Sequence, residues 1–342
     1  MQLYNNLSAE ERAALIEQAG KERLTISFYT YAKIGNPEIF RNHLFIAWNE
    51  LDVLGRIYVA NEGINAQLSV PADHFQGFKD HIDSISFLED VRLNIAIEQD
   101  NFSFLKLKVK VRDKILADGL NDDTFDVTNK GVHVDAERFN SLIEDPNTVL
   151  VDMRNHYESE IGHFKNAVTP DVDTFRDSLS IIEEDLKMHK EDKNLVMYCT
   201  GGIRCEKASA YYKHKGFKNV YQLEGGIINY VRQVQEKELE NKFIGKNFVF
   251  DQRRAERISE DVIAHCHQCG KPCDTHVNCA NEACHLLFIQ CPECAEKLND
   301  CCSEECAEIA AMPYEEQKAL RRGQTKSNMI FKKGRSKVLK YK

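Results

Sequence analysis

The residues with the clearest chemical potential form a six-residue loop, Cys199-Thr200-Gly201-Gly202-Ile203-Arg204. An apolar, β-prone run over 194–198 precedes the cysteine, and a helix-forming run over 206–215 follows the arginine. This order predicts a strand, a tight loop and a helix. Such a loop directs backbone N–H groups into one concavity beside the positive end of the helix dipole. We therefore expect Cys199 to have a lowered pKa and to hold a thiolate, a persulfide or an oxyanion.

The other loop residues support the same chemistry. Gly201 and Gly202 permit unusual backbone angles and a close approach to a ligand. Arg204 adds a positive charge that does not deprotonate, so we assign it to the catalytic site together with Cys199. Cys205 follows the loop directly. It either resolves an oxidised Cys199 or packs in the first helical turn, and we favour packing.

A second chemical pattern lies near the C-terminus, where ten of the twelve cysteines fall between Cys266 and Cys306. Two Cys-x2-Cys pairs flank the others, which is the spacing of thiolates that share a tetrahedral ion. Eight thiolates predict about two zinc ions, since each tetrahedral ion takes four ligands. We expect the ions to be structural, because a segment with few aliphatic residues needs bound metal to fold. An iron–sulfur cluster is the alternative. An interleaved arrangement gives two ligand sets: Cys266, Cys269, Cys291 and Cys294; and Cys279, Cys284, Cys302 and Cys306. The residues left as alternative ligands are Cys273, Cys301, His267 and His285.

Charge is unevenly distributed along the 342 residues. The net charge is −9, yet the segment 318–342 has ten Lys or Arg residues and no acid, so the remainder has 35 basic and 54 acidic residues. A basic tail on an acidic body predicts local contact with a polyanion, and a solvated terminus is the alternative.

The sequence has neither a signal-peptide pattern nor a run long enough for a membrane helix. We expect a cytoplasmic protein without membrane contact. Its oligomeric state cannot be predicted.

Residues 1–115 have the element order βαββαβ, which predicts a ferredoxin-like α+β domain. Its last strand, over 104–112, alternates apolar and basic residues. The basic side chains therefore share one face, which either is solvated or contacts phosphates. Residues 116–131 are predicted to be a linker. The candidates for RNA contact, from this strand and from the tail, are Lys106, Lys108, Lys110, Arg112, Arg321, Arg322, Lys332 and Lys333.

The loop and several flanking segments resemble a rhodanese domain. The strand over 149–154 ends in Asp152-Met153-Arg154, which is similar to the family's Asp-x-Arg and is assigned a supporting role. The segments 158–167 and 220–227 resemble a Glu-x-x-x-Gly-His element and a closing Gly-Gly turn. The resemblance implies a rhodanese-like α/β domain with a parallel sheet over 132–240. We expect a connecting strand or linker over 241–263, a Cys-rich metal-binding segment over 264–308 and a basic tail over 309–342.

The whole chain resembles the bacterial tRNA uridine hydroxylases of the TrhO (YceA) family. The resemblance is carried by 59–65 (Val-Ala-Asn-Glu-Gly-Ile-Asn), the Cys199 loop, 248–253 (Phe-Val-Phe-Asp-Gln-Arg) and the segment from Cys279 to Cys294. It implies hydroxylation of C5 of the wobble uridine with O2 as co-substrate and the tRNA anticodon region as partner. The sequence does not identify the redox cofactor, because neither Gly-x-Gly-x-x-Gly nor a two-His, one-carboxylate pattern stands out.

Two roles for Cys199 follow from the loop. Its thiolate adds to C6 of uracil and makes C5 nucleophilic, or it holds a persulfide or sulfenic acid that delivers oxygen. The rival function is a sulfurtransferase that passes a persulfide from Cys199 to a small thiol or a tRNA-modification partner. A non-enzymatic tRNA-binding protein is a third alternative, which the intact loop disfavours.

Overall fold

The computed structural model describes residues 9–121, 124–322 and 339–341. The chain divides into two compact units. The first unit comprises Met1–Thr148, Lys190–Asn241 and Val249–Arg254, and the second comprises Val149–His189, Lys242–Phe248 and Ala255–Lys342. The segment 132–240 therefore contributes to both units.

Helices and strands alternate through most of the described chain. The helices are α1 (Ala9–Ala19), α2 (Pro37–Glu50), α3 (Phe75–Asp83), α4 (Ala136–Ile143), α5 (His156–Ser159), α6 (Phe175–Leu186), α7 (Ile203–His214), α8 (Gly226–Glu236), α9 (Pro292–Leu298), α10 (Glu304–Ala311) and α11 (Tyr314–Arg321). The strands are β1 (Arg23–Tyr31), β2 (Leu54–Ala60), β3 (Gly63–Pro71), β4 (Asn94–Ile95), β5 (Leu107–Val111), β6 (Val132–Val134), β7 (Thr148–Asp152), β8 (Gly162–Phe164), β9 (Asn194–Tyr198), β10 (Asn219–Leu223), β11 (Phe243–Phe248), β12 (Ala255–Arg257), β13 (His276–Asn278) and β14 (Leu287–Ile289).

The N-terminal part of the first unit contains a five-stranded sheet in the order β4-β1-β3-β2-β5. Strands β1 to β4 pair antiparallel, as the ferredoxin-like prediction requires. The predicted last strand, over 104–112, is shorter in the structure. It is a fifth strand that pairs parallel with β2 at one edge. The position beside β1 is taken by the two-residue β4, which sequence analysis missed.

Helices α2 and α3 cover one face of this sheet. Trp48 from α2 is fully buried and packs edge-on against Phe28 of β1, with ring centroids 6.4 Å apart, and against Phe78 of α3 at 5.4 Å. Because side chains alternate along a strand, Tyr29 and Tyr31 lie on the opposite face. That face is polar, and it bears on the site described below.

The first unit also contains a parallel sheet in which β10 lies between β6 and β9. Strand β9 is almost entirely buried, consistent with the apolar run that predicts it. Helix α7 follows β9 after four residues, and α8 follows β10 after two. This arrangement confirms the parallel sheet expected for a rhodanese-like fold.

The second unit contains smaller sheets. Strand β11 pairs antiparallel with β8 and with β12, and β13 pairs antiparallel with β14. The last hairpin precedes α9 and α10, and this region holds the clustered cysteines. Among the described residues, no helix is both long and apolar enough to span a membrane.

Candidate active site and metal centres

The loop from Cys199 to Arg204 connects β9 to α7, which begins at Ile203. Gly202 has a φ of +102°, and a Cβ added there would lie 2.9 Å from the hydroxyl of Tyr29. The backbone conformation therefore favours glycine at this position, and a Cβ would also displace the Tyr29 hydroxyl. The N–H of Gly202 donates to Sγ of Cys199 at 3.1 Å. The loop thus directs a backbone donor at the sulfur.

The Cys199 thiol is buried, with only 1% of the residue exposed. Burial alone raises the pKa of a thiol. A hydrogen bond with the Cys205 side chain, the charge of Arg204 and N–H groups of the loop outweigh burial and bring the pKa of Cys199 down to about 6. The thiolate therefore predominates at neutral pH. Cys205 is also fully buried, and its contact with Cys199 goes beyond the packing role that the sequence favoured.

The charge of Arg204 makes a testable contribution to the Cys199 pKa. We expect Arg204→Ala to shift the midpoint of Cys199 alkylation by iodoacetamide upward from about pH 6, because the thiolate loses a cation. Arg204→Lys retains the charge and should leave the midpoint near the wild-type value. Mass spectrometry of the alkylated peptide gives the rate at each pH. The midpoint is the quantity to compare, since burial slows the reaction at every pH. An unchanged midpoint in Arg204→Ala would assign the shift to the backbone and Cys205.

Arg204 is itself held in a defined environment. It is 7% exposed, and its guanidinium lies 5.9 Å from the ring centroid of Phe250. Asp251, which follows Phe250 in the chain, accepts a hydrogen bond from Nε of Arg253 at 2.9 Å. Arg253 also donates to the Glu98 carbonyl at 2.6 Å. These contacts anchor residues 250–253, one of the segments that carry the family resemblance. Sequence reasoning gave no role to this segment.

The polar face of the five-stranded sheet borders the loop. Asn94 of β4 is 5% exposed, and its Nδ2 donates to the carbonyl of Gly201 at 3.4 Å. A Cβ on Gly201 would lie 3.6 Å from the same Nδ2 and 4.0 Å from Oγ of Ser27. Arg232 of α8 donates to the carbonyls of Ile95 at 2.7 Å and Ala96 at 3.1 Å. The ferredoxin-like part therefore contributes side chains to the surroundings of Cys199, which sequence reasoning missed.

A pocket of about 420 Å³ opens beside Gly201 and Gly202. Its lining combines the polar sheet face, the segment around 127–130, the loop and the start of α7. Sequence analysis predicted 116–131 to be a linker, and the structure places Val127, Thr128 and Lys130 in the pocket wall. The pocket has the size of a small-molecule site, which is typically about 300–1,000 Å³.

Glu206, in the first turn of α7, forms one wall of this pocket. Its carboxylate pairs with Nε2 of His133 at 2.8 Å and with Nζ of Lys130. Burial raises the pKa of Glu206, but the hydrogen bonds from His133 and Lys130 outweigh burial and lower it. A charged carboxylate is therefore fixed in the first turn of the helix that follows the loop.

Lys207, the next residue of α7, is 1% exposed. Its Nζ pairs with Glu62 at 2.9 Å and with Asp118 at 3.4 Å, and it lies 5.2 Å from the ring centroid of Tyr31. Removal of one partner from a buried charge group is costly, about 3–5 kcal/mol. Glu62 belongs to the segment 59–65 that carries the family resemblance. The structure thus gives Glu62 a role in positioning the helix that follows the loop.

Asp152 and Arg154, the predicted supporting pair, form a fully buried ion pair in the second unit. Arg154 donates from Nε to Oδ1 of Asp152 at 2.9 Å and from Nη2 to Oδ2 at 2.6 Å. The same Nη2 donates to the carbonyl of Gly162 at 2.6 Å. Arg154 therefore links the end of β7, at Asp152, to the start of β8, at Gly162.

The cysteines of the second unit form two groups of four, in which all sulfurs of a group lie within 4.8 Å of one another. Sγ of Cys269 is 3.6 Å from Sγ of Cys291, and Sγ of Cys302 is 3.7 Å from those of Cys284 and Cys306. A tetrahedron of metal–sulfur bonds about 2.3 Å long separates sulfurs by about 3.8 Å. Both groups therefore have the size of a tetrahedral metal site. Their members are those of the interleaved arrangement: Cys266, Cys269, Cys291 and Cys294; and Cys279, Cys284, Cys302 and Cys306.

The alternative ligands lie outside these groups. Cys273 and Cys301 are buried, and neither belongs to a group of four. His267 is directed elsewhere, because its Nε2 pairs with Glu160 at 2.7 Å and its Nδ1 accepts from the N–H of Ile289 at 3.2 Å. The two groups can therefore bind metal ions with thiolates alone.

The basic strand β5 has the expected alternation, since Leu107 and Val109 are buried and Lys110 is exposed. Lys108 pairs in register with Arg56 of β2, a cation that sequence analysis missed. Burial, followed by the charges of Lys106, Arg56 and Lys110, lowers the pKa of Lys108 to about 8. Crowding of like charges at this edge of the sheet indicates a surface that an anion would stabilise.

The remaining RNA-contact candidates lie at the C-terminus, where the structure describes only part of the segment. Arg321 pairs with Glu282 and lies 5.5 Å from the ring centroid of Tyr314. Arg322 is exposed. Lys332 and Lys333 lie outside the described residues.

Comparison with known families agrees with this architecture. Residues 23–115 match the UPF0176 acylphosphatase-like domain, 135–233 match the rhodanese-like domain, and 244–307 match the rhodanese C-terminal family. A solution structure of the rhodanese-like domain of Anabaena sp. Alr3790 is 19% identical to this chain. The matched region covers 33% of this chain and 78% of the Anabaena chain, with a TM-score of 0.26. The fold and the cysteine loop define a rhodanese-fold protein that carries an acylphosphatase-like domain ahead of the loop.

Relatives of nearly the full length specify the family. A tRNA uridine(34) hydroxylase from Photorhabdus laumondii is 53% identical over 337 residues, which is 98% of this chain and 96% of the relative. One from Pectobacterium carotovorum is 54% identical over 334 residues, which is 97% of this chain and 94% of the relative. The chain belongs to the tRNA uridine(34) hydroxylase family.

Proposed function

We propose that this protein hydroxylates C5 of uridine 34, the wobble base of tRNA, with O2 as co-substrate and with Cys199 as the reacting thiolate. The observation that carries this proposal is the thiol itself: it lies in a nest of N–H groups beside Arg204 and has a pKa of about 6. The membership of the chain in a family of enzymes named for this reaction supports the assignment. The cytoplasm, where tRNA is modified, is the expected location.

The thiolate acts by addition to the base. Sγ of Cys199 forms a bond to C6 of uracil, and the C5–C6 π electrons move toward O4, so that C5 becomes nucleophilic. C5 attacks one oxygen of a peroxide, formed from O2 with two electrons from a reductant, and the O–O bond breaks so that the second oxygen leaves as water. Loss of the C5 proton and of the thiolate then restores the double bond. Net hydroxylation by O2 places one oxygen atom on C5 and reduces the other to water, so each turnover also consumes two electrons from a reductant. Arg204 stabilises the thiolate before addition and after elimination.

The direct test is nucleoside mass spectrometry of tRNA incubated with the full-length protein under ¹⁸O2. We expect 5-hydroxyuridine that carries one ¹⁸O atom and depends on the protein. Unlabelled product would assign the oxygen to water and contradict the proposed co-substrate.

The same protein also allows a test of the sulfurtransferase alternative. A sulfurtransferase takes sulfane sulfur from thiosulfate onto Cys199 and passes it to cyanide or a small thiol. Efficient transfer together with absence of 5-hydroxyuridine would favour that alternative. The rhodanese-like loop is compatible with both reactions, so the two assays belong together.

We propose that the two groups of four cysteines hold one zinc ion each. Four thiolates at tetrahedral spacing match the preference of zinc in structural sites, and all four coordination positions are filled by the protein. The ions would stabilise the fold of the C-terminal segment and would take no part in the reaction at Cys199.

We propose that the cationic edge formed by Arg56, Lys106, Lys108, Lys110 and Arg112 contacts tRNA phosphates. Charge reversal of Arg56, Lys108 and Lys110 to Glu should weaken tRNA binding and reduce the salt slope by about 0.7–0.9 per lost phosphate contact. Fluorescence anisotropy at several salt concentrations gives both quantities. Reversal of Lys187, Lys193 and Lys218, which lie outside this edge, changes the net charge by the same amount and is the control. Equal effects of the two sets would mean that net charge alone matters.

A further inference from the structure

The pocket beside Gly201 and Gly202 has no role in the chemistry described so far. It is about 420 Å³ in volume, and one wall is the loop that holds Cys199. The facing wall is the polar face of the five-stranded sheet, with Tyr29, Tyr31 and Asn94. A site in which one domain supplies Gly201 and Gly202 of the loop, and another supplies aromatic and amide side chains, suits a ligand that is contacted from both domains.

We propose that this pocket binds the uracil base of the target nucleotide, extruded from the anticodon stack, and that Tyr29 and Asn94 position it against the Cys199 loop. The inference rests on the proposed function and deepens it, because it assigns substrate recognition to residues of the acylphosphatase-like domain. Enzymes that modify a base take it out of its stack and read it by aromatic contact and by hydrogen bonds to its edge.

The charge of the lining selects a neutral base over a phosphate. Acids outnumber Lys and Arg in the pocket wall, which contains Glu89, Asp90, Glu206 and Glu224 but only Arg92 and Lys130. Glu224 pairs with Arg92, and Glu206 pairs with Lys130 and His133. A phosphate would meet an excess of negative charge here, whereas it would meet cations at the β5 edge. The two surfaces thus suit the two parts of one nucleic-acid substrate.

The aromatic residues suit the face of a base. Tyr29 and Tyr31 lie edge to face, with ring centroids 6.2 Å apart. Tyr29 also stands over the loop, since its hydroxyl would be 2.9 Å from a Cβ on Gly202. Burial, followed by the charges of Glu206 and Cys199, raises the pKa of Tyr29, so its hydroxyl stays protonated and can donate a hydrogen bond. A base in contact with Tyr29 lies next to the residue whose N–H holds the sulfur.

Asn94 suits the edge of uracil. One N–H of its amide is directed to the Gly201 carbonyl, which fixes the side chain toward the loop. A carboxamide has a second N–H and a carbonyl oxygen, and these complement an O4 acceptor next to an N3–H donor. Cytosine presents an amino donor and a bare N3 at the same positions, so an amide of fixed orientation would discriminate against it.

An unpaired hydroxyl on a pocket-lining residue is consistent with a polar ligand. Within residues 9–121, 124–322 and 339–341, the hydroxyl of Tyr31 and Oγ1 of Thr200 are buried and have no hydrogen-bond partner. Tyr31 lines the pocket, and Thr200 is the second residue of the loop. Buried polar groups are almost always paired in native proteins, so the Tyr31 hydroxyl is suited to a hydrogen bond with a polar ligand, whereas Thr200 is not part of the pocket lining.

A photo-crosslinking experiment tests where the base binds. The probe is an anticodon stem-loop RNA with 4-thiouridine at position 34, irradiated with full-length Cys199→Ala protein and analysed by mass spectrometry of the peptides. We expect adducts on the peptide that contains Tyr29 and Tyr31. The control RNA carries 4-thiouridine at position 38 and should not label that peptide above background. Adducts of the position-34 probe confined to peptides outside the pocket would overturn the proposal.

Substitution of Asn94 tests recognition separately. Asn94→Ala should lower kcat/KM for uridine 34 by about tenfold to a hundredfold, chiefly through KM, because a buried partner of the base edge is lost. The midpoint of Cys199 alkylation should not move. Asn247→Ala removes another buried amide, outside the pocket, and controls for destabilisation when both variants are compared by thermal unfolding. A shifted alkylation midpoint with an unchanged KM would make Asn94 a support of the loop and refute its role in recognition.

The outcomes separate the pocket from the proposed reaction. If the wild-type protein makes no 5-hydroxyuridine while the position-34 probe labels the Tyr29 peptide, the reaction is wrong and the pocket stands. If 5-hydroxyuridine forms while Asn94→Ala keeps the wild-type kcat/KM and the probe labels other peptides, the pocket is wrong and the reaction stands.

Discussion

Replacement of Cys199 by alanine is expected to abolish 5-hydroxyuridine formation, with a loss of at least about a thousandfold in kcat/KM. In the proposed mechanism Sγ of Cys199 forms the bond to C6, and the oxygen step requires that bond. The loop should keep its shape, because its backbone is set by Gly202 and by the start of α7. The measurement is nucleoside mass spectrometry of tRNA after incubation with each variant.

The pH dependence gives this prediction a sharper form. The pKa of Cys199 is lowered to about 6, so the thiolate fraction rises through pH 6 and is nearly complete at pH 8. Hydroxylation by the wild-type protein should follow the same rise on its acidic limb. Cys205→Ala removes a hydrogen bond to the thiolate and should move that limb to higher pH without abolishing the reaction. Equal loss of activity in Cys199→Ala and Cys205→Ala would instead indicate that the two thiols react as a pair.

The Cys199 loop could be predicted from sequence because its signal is local. A buried strand, a cysteine, two glycines and a helix occur in a contiguous stretch, and each residue type has a physical reason to be there. The lowered pKa follows from the same stretch, since the backbone donors, Arg204 and Cys205 all lie within six residues of the thiol. The contact between the Arg204 guanidinium and the Phe250 ring depends on the tertiary structure, so the sequence alone does not indicate it.

The walls of the pocket could not be predicted in this way. Strand β4 has two residues, and the alternation over 93–97 is too short to separate a strand from a loop. Asn94 becomes a site residue only because β4 pairs with β1 and meets Gly201, far along the chain. The segment 127–130 has the composition of a linker, and its place in the pocket wall depends on tertiary contacts. Polar residues of this kind carry no periodic signal.

Removal of either metal site is expected to have the second large effect. Cys291→Ser should leave about one zinc ion per chain, Cys302→Ser should do the same, and the double variant should retain none. The free energy of zinc binding to such sites is about 10–16 kcal/mol in small peptides at neutral pH, and it is coupled to folding. We therefore expect the region over 264–308 to lose protection from hydrogen exchange in the double variant. Elemental analysis gives the stoichiometry.

Cys273 provides the matched control, because it is buried in the same region but belongs to neither group of four. Cys273→Ser should retain two zinc ions and the wild-type exchange pattern. Loss of an ion from this variant would show that the ligand sets are wrong. Iron with visible absorbance in place of zinc would contradict the structural assignment and would connect the second unit to the electron supply of the reaction. Unchanged alkylation of Cys199 in the double variant would show that the metal sites stabilise their own segment and do not set the reactivity of the thiol.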